Sequence, residues 1–251
     1  TIKMNTPIKT HEIRRVAVLG SGVMGSAIAC HLAQTGSEVL LLDLPSKEGP
    51  RNAPAEGALK ASLKSKPSPL YSKRLLNRIA CGNFDDDLEK ISECDWIIEV
   101  IIERLDIKQQ LFERVEKFRK PGTLITSNTS GIPISQLSEG RSDDFQKNFC
   151  GTHFFNPPRY LQLLEIIPGP KTEQRVIDFF MGYGESVLGK QSVLCKDTPA
   201  FIANRVGVFA IQALFHTVED MGLSIEKVDK LTGPAMGRPK SATFRTCDVV
   251  G

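Results

Sequence analysis

Val16-Ala17-Val18-Leu19-Gly20-Ser21-Gly22-Val23-Met24-Gly25 opens the decisive stretch of this chain, and Val39-Leu40-Leu41-Leu42-Asp43 closes it. The first four residues are a short apolar run, as expected of a strand buried on both faces. Three glycines follow in a G-x-G-x-x-G pattern, then Met24, Ile28 and Leu32 recur at helical spacing until Gly36, where glycine commonly ends a helix. A second apolar run ends in Asp43. This is a β-α-β unit of the expected length.

A lone G-x-G-x-x-G is weak evidence, but its place between a strand and a helix gives each glycine a reason. Gly20 permits the tight turn, Gly22 lets backbone approach a pyrophosphate, and Gly25 lets the helix lie against the strand. Ser21, Val23 and Met24 share the loop and the first helical turn, where unpaired N–H groups attract phosphate. The other reading is a glycine-rich turn with no ligand. Asp43 stands 18 residues after Gly25. A carboxylate there accepts from a ribose 2′-hydroxyl and repels a 2′-phosphate, which selects NAD over NADP. Otherwise it is an exposed strand-end aspartate.

Working outward, residues 45–78 are polar and rich in Pro, Lys and Ser, and predict one or two exposed helices joined by a loop around Lys66-Pro67-Ser68-Pro69. Strands are predicted at Trp96–Ile101, Thr123–Ser127, Phe149–Phe154, Leu161–Ile167 and Ser192–Cys195. Helices are predicted over Ile107–Phe118 and around Val176–Phe180. After Asp197 the pattern is helical alone. Pro199 suits a first turn, the run Phe201–Val218 is apolar on most sides and predicts a buried helix, and Ser224 is the expected N-cap of a helix ending near Gly233. The expected architecture is α/β, a mostly parallel sheet with helices on both faces over residues 1–196, followed by a smaller all-α domain over 197–251.

Composition excludes several classes. The 251 residues are 41% hydrophobic and 24% charged with a net charge of +3, so neither a disordered chain nor a nucleic-acid binder is expected. No stretch approaches the ~18 apolar residues of a membrane span, and the N-terminus lacks the apolar run of a signal peptide. The six cysteines form no C-x-x-C pair and no zinc spacing, and read as reduced core thiols with no metal. A cytoplasmic protein is expected.

Chemistry is concentrated after the mid-point. His153 ends one apolar run and Glu165 lies inside another, Leu163-Leu164-Glu165-Ile166-Ile167, 12 residues on with a Pro-Pro turn between. Antiparallel strands would bring them together. A His–carboxylate pair can take the proton released when an alcohol is oxidised. A structural histidine with a buried partner is the other reading. Asn204 interrupts the apolar helix past its expected first turn, either to donate to a substrate carbonyl or to bond across the core. Ser127-Asn128-Thr129-Ser130 follows a strand at the carboxyl edge where ligands bind, or is simply a polar turn. His11, His31 and His216 suit surface or helix-face positions.

The chain resembles the L-3-hydroxyacyl-CoA dehydrogenase family. The likeness runs from about Arg15 to the last residue and rests on Ser127-Asn128-Thr129-Ser130, Gly151-Thr152-His153-Phe154-Phe155-Asn156-Pro157 and Lys196-Asp197-Thr198-Pro199-Ala200-Phe201-Ile202-Ala203-Asn204-Arg205. The resemblance implies a Rossmann-type fold and NAD-dependent oxidation of (S)-3-hydroxyacyl-CoA in fatty-acid β-oxidation. It implies His153 as base, Glu165 as its partner, Ser130 and Asn204 as holders of the substrate's 3-oxygen, and Glu103, Lys108, Ser130 and Asn156 along the cofactor site. It also implies an acyl-CoA partner and a homodimer or fused repeat through the C-terminal helices. Residues 233–246 look like the multifunctional members that carry an enoyl-CoA hydratase domain on the same chain. Two alternatives stand: a non-catalytic NAD-binding structural protein like the lens crystallins that keep this fold, and a dehydrogenase for 3-hydroxybutyryl-CoA alone or for a free hydroxy acid. Residues 45–78 depart from the short-chain enzymes, and no CoA-contacting residue is carried over.

Overall fold

The computed structural model describes residues 13–250; His11 lies outside them. The predicted β-α-β unit is β1 (Arg15–Leu19), α1 (Val23–Gln34) and β2 (Glu38–Asp43), with Val18 opposite Leu41 in parallel register. Then come α2 (Ala53–Ser62), a 3₁₀ turn (Lys73–Arg78), β3 (Ile79–Asn83), a second 3₁₀ turn (Leu88–Glu93), β4 (Trp96–Glu99), α3 (Leu105–Phe118) and β5 (Leu124–Ser127). The short helices α4 (Ile134–Leu137) and α5 (Asp143–Lys147) precede β6 (Phe149–Phe154), β7 (Leu163–Pro168), α6 (Gln174–Ser186) and β8 (Gln191–Leu194).

Among the described residues the strands form one sheet in the order β3-β2-β1-β4-β5-β6-β7-β8, parallel except where β6 meets β7. Alternate residues of β1 explain why the run is apolar throughout. Val16 and Val18 join a core with α1 and α6, through Ile28, Leu32, Phe180 and Tyr183. Ala17 and Leu19 face the other way, onto Leu111 and Val115 of α3. The strand order reverses between β1 and β4, and the crevice at their carboxyl ends is where such sheets bind ligands.

The polar stretch 45–78 holds one α-helix and one 3₁₀ turn, close to expectation. The edge strand β3 was not foreseen: Ile79-Ala80-Cys81-Gly82-Asn83 offers small residues and no alternation. His31, expected at a surface or helix-face position, lies on a buried face of α1. It is buried at 7% exposure, its Nε2 donating to the Leu188 carbonyl at 3.1 Å, because α1 turns that side onto the sheet.

The chain divides into two compact units, one through Phe201 and one from Ile202, against a boundary expected at Lys196. Asp197 shows why the connection stays with the first unit: its carboxylate accepts from the amides of Ile134 and Ser135, at 2.8 and 2.9 Å. The second unit contains α7 (Ala203–Met221), α8 (Ile225–Thr232), a 3₁₀ turn (Pro234–Met236) and α9 (Phe244–Val250). Ser224 caps α8 as predicted, accepting from the Lys227 amide. Asp229 caps the start of α9 through the amides of Phe244 and Arg245, and Phe215 stacks on Phe244 at 4.9 Å.

Three expectations about α7 are corrected. Pro199 does not open it, because Ala200 and Phe201 take φ values of 62° and 47° in the left-handed region and delay the helix to Ala203. Asn204 therefore lies in the first turn, not past it. And α7 has no buried residue. A helix apolar on most sides needs neighbours all round, and the described residues of this unit supply two short ones.

Candidate active site

Gly20 has φ +109°, and a Cβ there would stand 2.6 Å from the Val100 carbonyl oxygen. A Cβ on Gly25 would stand 1.9 Å from the Gly20 oxygen. Both glycines are required by the chain's own packing. Gly22 is different: a Cβ there meets nothing within 4 Å. The loop thus leaves open space at the one glycine whose backbone the motif offers to a phosphate. Val23, at the start of α1, is 74% exposed beside it, and Met24 is half-buried. Asp43 is half-buried too, so it is not a loose strand-end carboxylate. Its Oδ2 accepts from the Ser21 amide at 2.7 Å and from the Ser21 hydroxyl, fastening the loop to the end of β2.

Across the switch point, β6 and β7 pair so that His153 stands opposite Glu165. His153 Nδ1 lies 2.8 Å from Glu165 Oε2, and its Nε2 lies 3.1 Å from Ser130 Oγ. Glu165 is fully buried and His153 nearly so. A carboxylate oxygen accepts, so the neutral ring carries its proton on Nδ1 and directs the Nε2 lone pair toward Ser130. Phe155 and Phe201 pack edge-on against the ring, with centroids 4.5 and 5.7 Å away. The Cys195 thiol is pushed up to about 12, by burial first and then by the charge of Glu165 beside it.

Ser130 is held by a network that the sequence only half discloses. Glu103 Oε1 accepts from the Ser130 amide at 2.9 Å, the Gly131 amide at 3.2 Å and the Thr129 hydroxyl. Burial pushes the Glu103 carboxyl up, but these donors and Lys108 outweigh it and hold it below its ordinary value. Lys108, 1% exposed, reaches Glu103 Oε2 at 3.3 Å and Glu99 Oε1 at 2.6 Å. Glu99 was not foreseen. It is fully buried and also accepts from the Ser127 hydroxyl at 2.5 Å and the Ile101 amide at 2.7 Å. Burial pushes its carboxyl up against the pull of the ammonium. The sequence signal was there, a lone glutamate in Trp96-Ile97-Ile98-Glu99-Val100-Ile101, the same kind that marked Glu165. Asn128 completes the loop, its side-chain oxygen accepting from the Phe154 amide at 2.9 Å.

Asn156 follows β6 and lines a groove of 490 Å³ beside the glycine loop. Ser21, Gly22 and Ser26 form one part of its wall, and Lys66 and Arg159 contribute cations. The first unit thereby gathers the glycine loop, Asp43, Glu103, Lys108, Ser130, His153, Glu165 and Asn156 along the carboxyl edge of the sheet. Asn204 belongs to the second unit, in the first turn of α7. Among the described residues no helix is long and apolar enough to cross a membrane.

Residues 15–198 match the family model described as 3-hydroxyacyl-CoA dehydrogenase, NAD binding domain. A Bacillus subtilis protein called a probable 3-hydroxyacyl-CoA dehydrogenase is 50% identical over 258 residues, which cover 96% of this chain and 32% of that protein. A Deinococcus radiodurans protein of the same description is 48% identical, covering 96% of this chain and 70% of the relative. Among solved structures, FadB2 of M. tuberculosis aligns with a TM-score of 0.80 at 27% identity, over 95% of this chain and 83% of that one.

Proposed function

The chain belongs to the 3-hydroxyacyl-CoA dehydrogenase family through its NAD-binding domain, and from that premise we propose that it oxidises the 3-hydroxyl of an (S)-3-hydroxyacyl-CoA to the 3-oxo group. One observation carries the reading: a buried imidazole with one nitrogen on a carboxylate and the other facing a hydroxyl at the ligand crevice.

NAD, when bound, accepts the hydride that leaves C3. The residues suited to hold it are Gly20, Ser21, Gly22, Val23, Met24 and Gly25 for the pyrophosphate, and Asp43 for the adenosine ribose. The open space at Gly22 fits that use. Glu103, Ser130 and Asn156 line the remaining length, with the buried Lys108 behind Glu103. His153 Nε2 takes the proton of the 3-hydroxyl as the hydride departs, and Glu165 stabilises the imidazolium that results. General-base help of this kind contributes ~10²–10⁴ in rate. Ser130 donates to the 3-oxygen. The Glu99–Lys108–Glu103 ladder keeps Ser130 in place while this happens. Along the groove beside the glycine loop, Ser21, Gly22 and Val23 serve the NAD pyrophosphate, while Lys66 and Arg159 suit the anionic nucleotide of an acyl-CoA.

The same reading places the reaction in fatty-acid β-oxidation in the cytoplasm. The assembly is a homodimer or fused repeat through the C-terminal helices. The 32% share of the Bacillus subtilis relative leaves room for an enoyl-CoA hydratase domain on a longer chain. The test is NADH consumption with acetoacetyl-CoA, longer 3-oxoacyl-CoA thioesters and free acetoacetate. Turnover confined to the thioesters supports the reading. Turnover of free acetoacetate alone shifts it to a hydroxy-acid dehydrogenase, and NADH binding without any turnover to a non-catalytic protein.

A further inference from the structure

Lys190 precedes β8, and its side chain is buried at 5% exposure. Its Nζ donates to the carbonyl oxygens of Pro158 and, at 2.8 Å, Leu161. No carboxylate pairs with it among the described residues. Burying an ammonium without a counter-charge is costly, and a leucine or methionine would fill the space without that cost. What they cannot do is donate. Pairing of β6 and β7 ends at Phe154 opposite Leu164, so the carbonyls of residues 155–161 have left the ladder and need other partners. Lys190 supplies them to two carbonyls at once.

That hairpin forms one wall of the groove, through Asn156, Pro157, Pro158 and Arg159. It also clasps the opposite wall: Arg159 Nη1 and the Tyr160 hydroxyl both donate to the Ser68 carbonyl at 2.9 Å. The Arg159 guanidinium lies 5.1 Å from the Tyr160 ring centre and 5.9 Å from that of Tyr71. The position of the hairpin therefore sets the width of the groove, and Lys190 sets the position of the hairpin.

We infer that Lys190 is a positioning residue for substrate binding: by holding the Pro158 and Leu161 carbonyls it fixes the groove wall and governs affinity for the nucleotide-bearing substrate, not the chemical step. This rests on the proposal that the groove receives an acyl-CoA. In the full natural chain, Lys190→Met is expected to raise KM for acetoacetyl-CoA about tenfold, the scale of one charge-assisted hydrogen bond. The same variant leaves kcat within about twofold, and backbone hydrogen exchange over residues 156–162 becomes faster. Tyr160→Phe, which removes one clasp donor to the Ser68 carbonyl and leaves the groove cations in place, is expected to raise KM likewise and decides the matter if the Lys190 variant does not fold. Unchanged KM in these variants, or a fall in kcat at unchanged KM, overturns the inference. If the unaltered protein does not turn over acetoacetyl-CoA, it is the substrate reading that has failed. Hydrogen exchange then decides Lys190 alone: unchanged exchange over 156–162 in Lys190→Met overturns its role.

Discussion

Gly22 and Gly25 stand three residues apart in one motif, yet their substitutions are expected to fail differently. Alanine at Gly25 puts a Cβ 1.9 Å from a backbone oxygen and must push α1 off the strand. Alanine at Gly22 meets nothing. Gly22→Ala is thus expected to leave stability within about 0.5 kcal/mol and to weaken NADH binding by tenfold or more. Gly25→Ala is expected to lower the unfolding midpoint as well. Denaturant unfolding and nicotinamide fluorescence separate the two, and normal NADH affinity in Gly22→Ala would show that the space serves no ligand. At this scale much was legible. His153 and Glu165 declared themselves as polar residues stranded in apolar runs, where a partner is obligatory. Glu99 carried the same signal and was passed over, because its partner Lys108 sits nine residues away on the next helix. That meeting depends on how α3 packs against the sheet, which local pattern does not encode. The contact between Glu103 and the Ser130 amide was opaque for the same reason.

Elements with long apolar runs were readable from the sequence, and those built by context were not. β1, β2 and β4 lie inside the sheet, buried on both faces, and their composition says so. β3 sits at the edge, and its pairing with β2 comes from position in the fold, not from its own residues. The start of α7 misled for a sharper reason. Pro199 fits a first helical turn, but Ala200 and Phe201 occupy left-handed backbone that non-glycine residues adopt at a cost. Glycine carries no such cost there, so Ala200→Gly is expected to stabilise the protein by about 1 kcal/mol. Urea unfolding checks this; equal or lower stability would show that the surroundings relieve the strain. Phe201, which packs on the His153 ring, gives that strained turn a place at the site.

For the whole molecule, the two-unit organisation followed from the switch of pattern after Asp197, while the division at Phe201 reflects the Asp197 side chain bonded back to α4. Acid stability also belongs to this scale. His31 is lowered to about 4, chiefly by burial and then by the nearby Lys190 charge. Its Nδ1 has no hydrogen-bond partner among the described residues. The folded state binds this proton less tightly than the unfolded chain. The contribution is therefore fully present above pH ~6.5 and is lost as pH falls toward about 4. Its full size is a few kcal/mol. His31→Gln is expected to flatten that part of the stability–pH curve, and an unchanged slope between pH 6.5 and 4 would contradict it. We propose that the NAD-binding sheet presents His153 as the base for alcohol oxidation. The most direct measurement compares the full natural chain with its His153→Asn variant, following acetoacetyl-CoA reduction and NADH affinity together. Turnover lower by 10² or more with NADH affinity unchanged is the predicted result; turnover within a few-fold of the unaltered protein would contradict the claim.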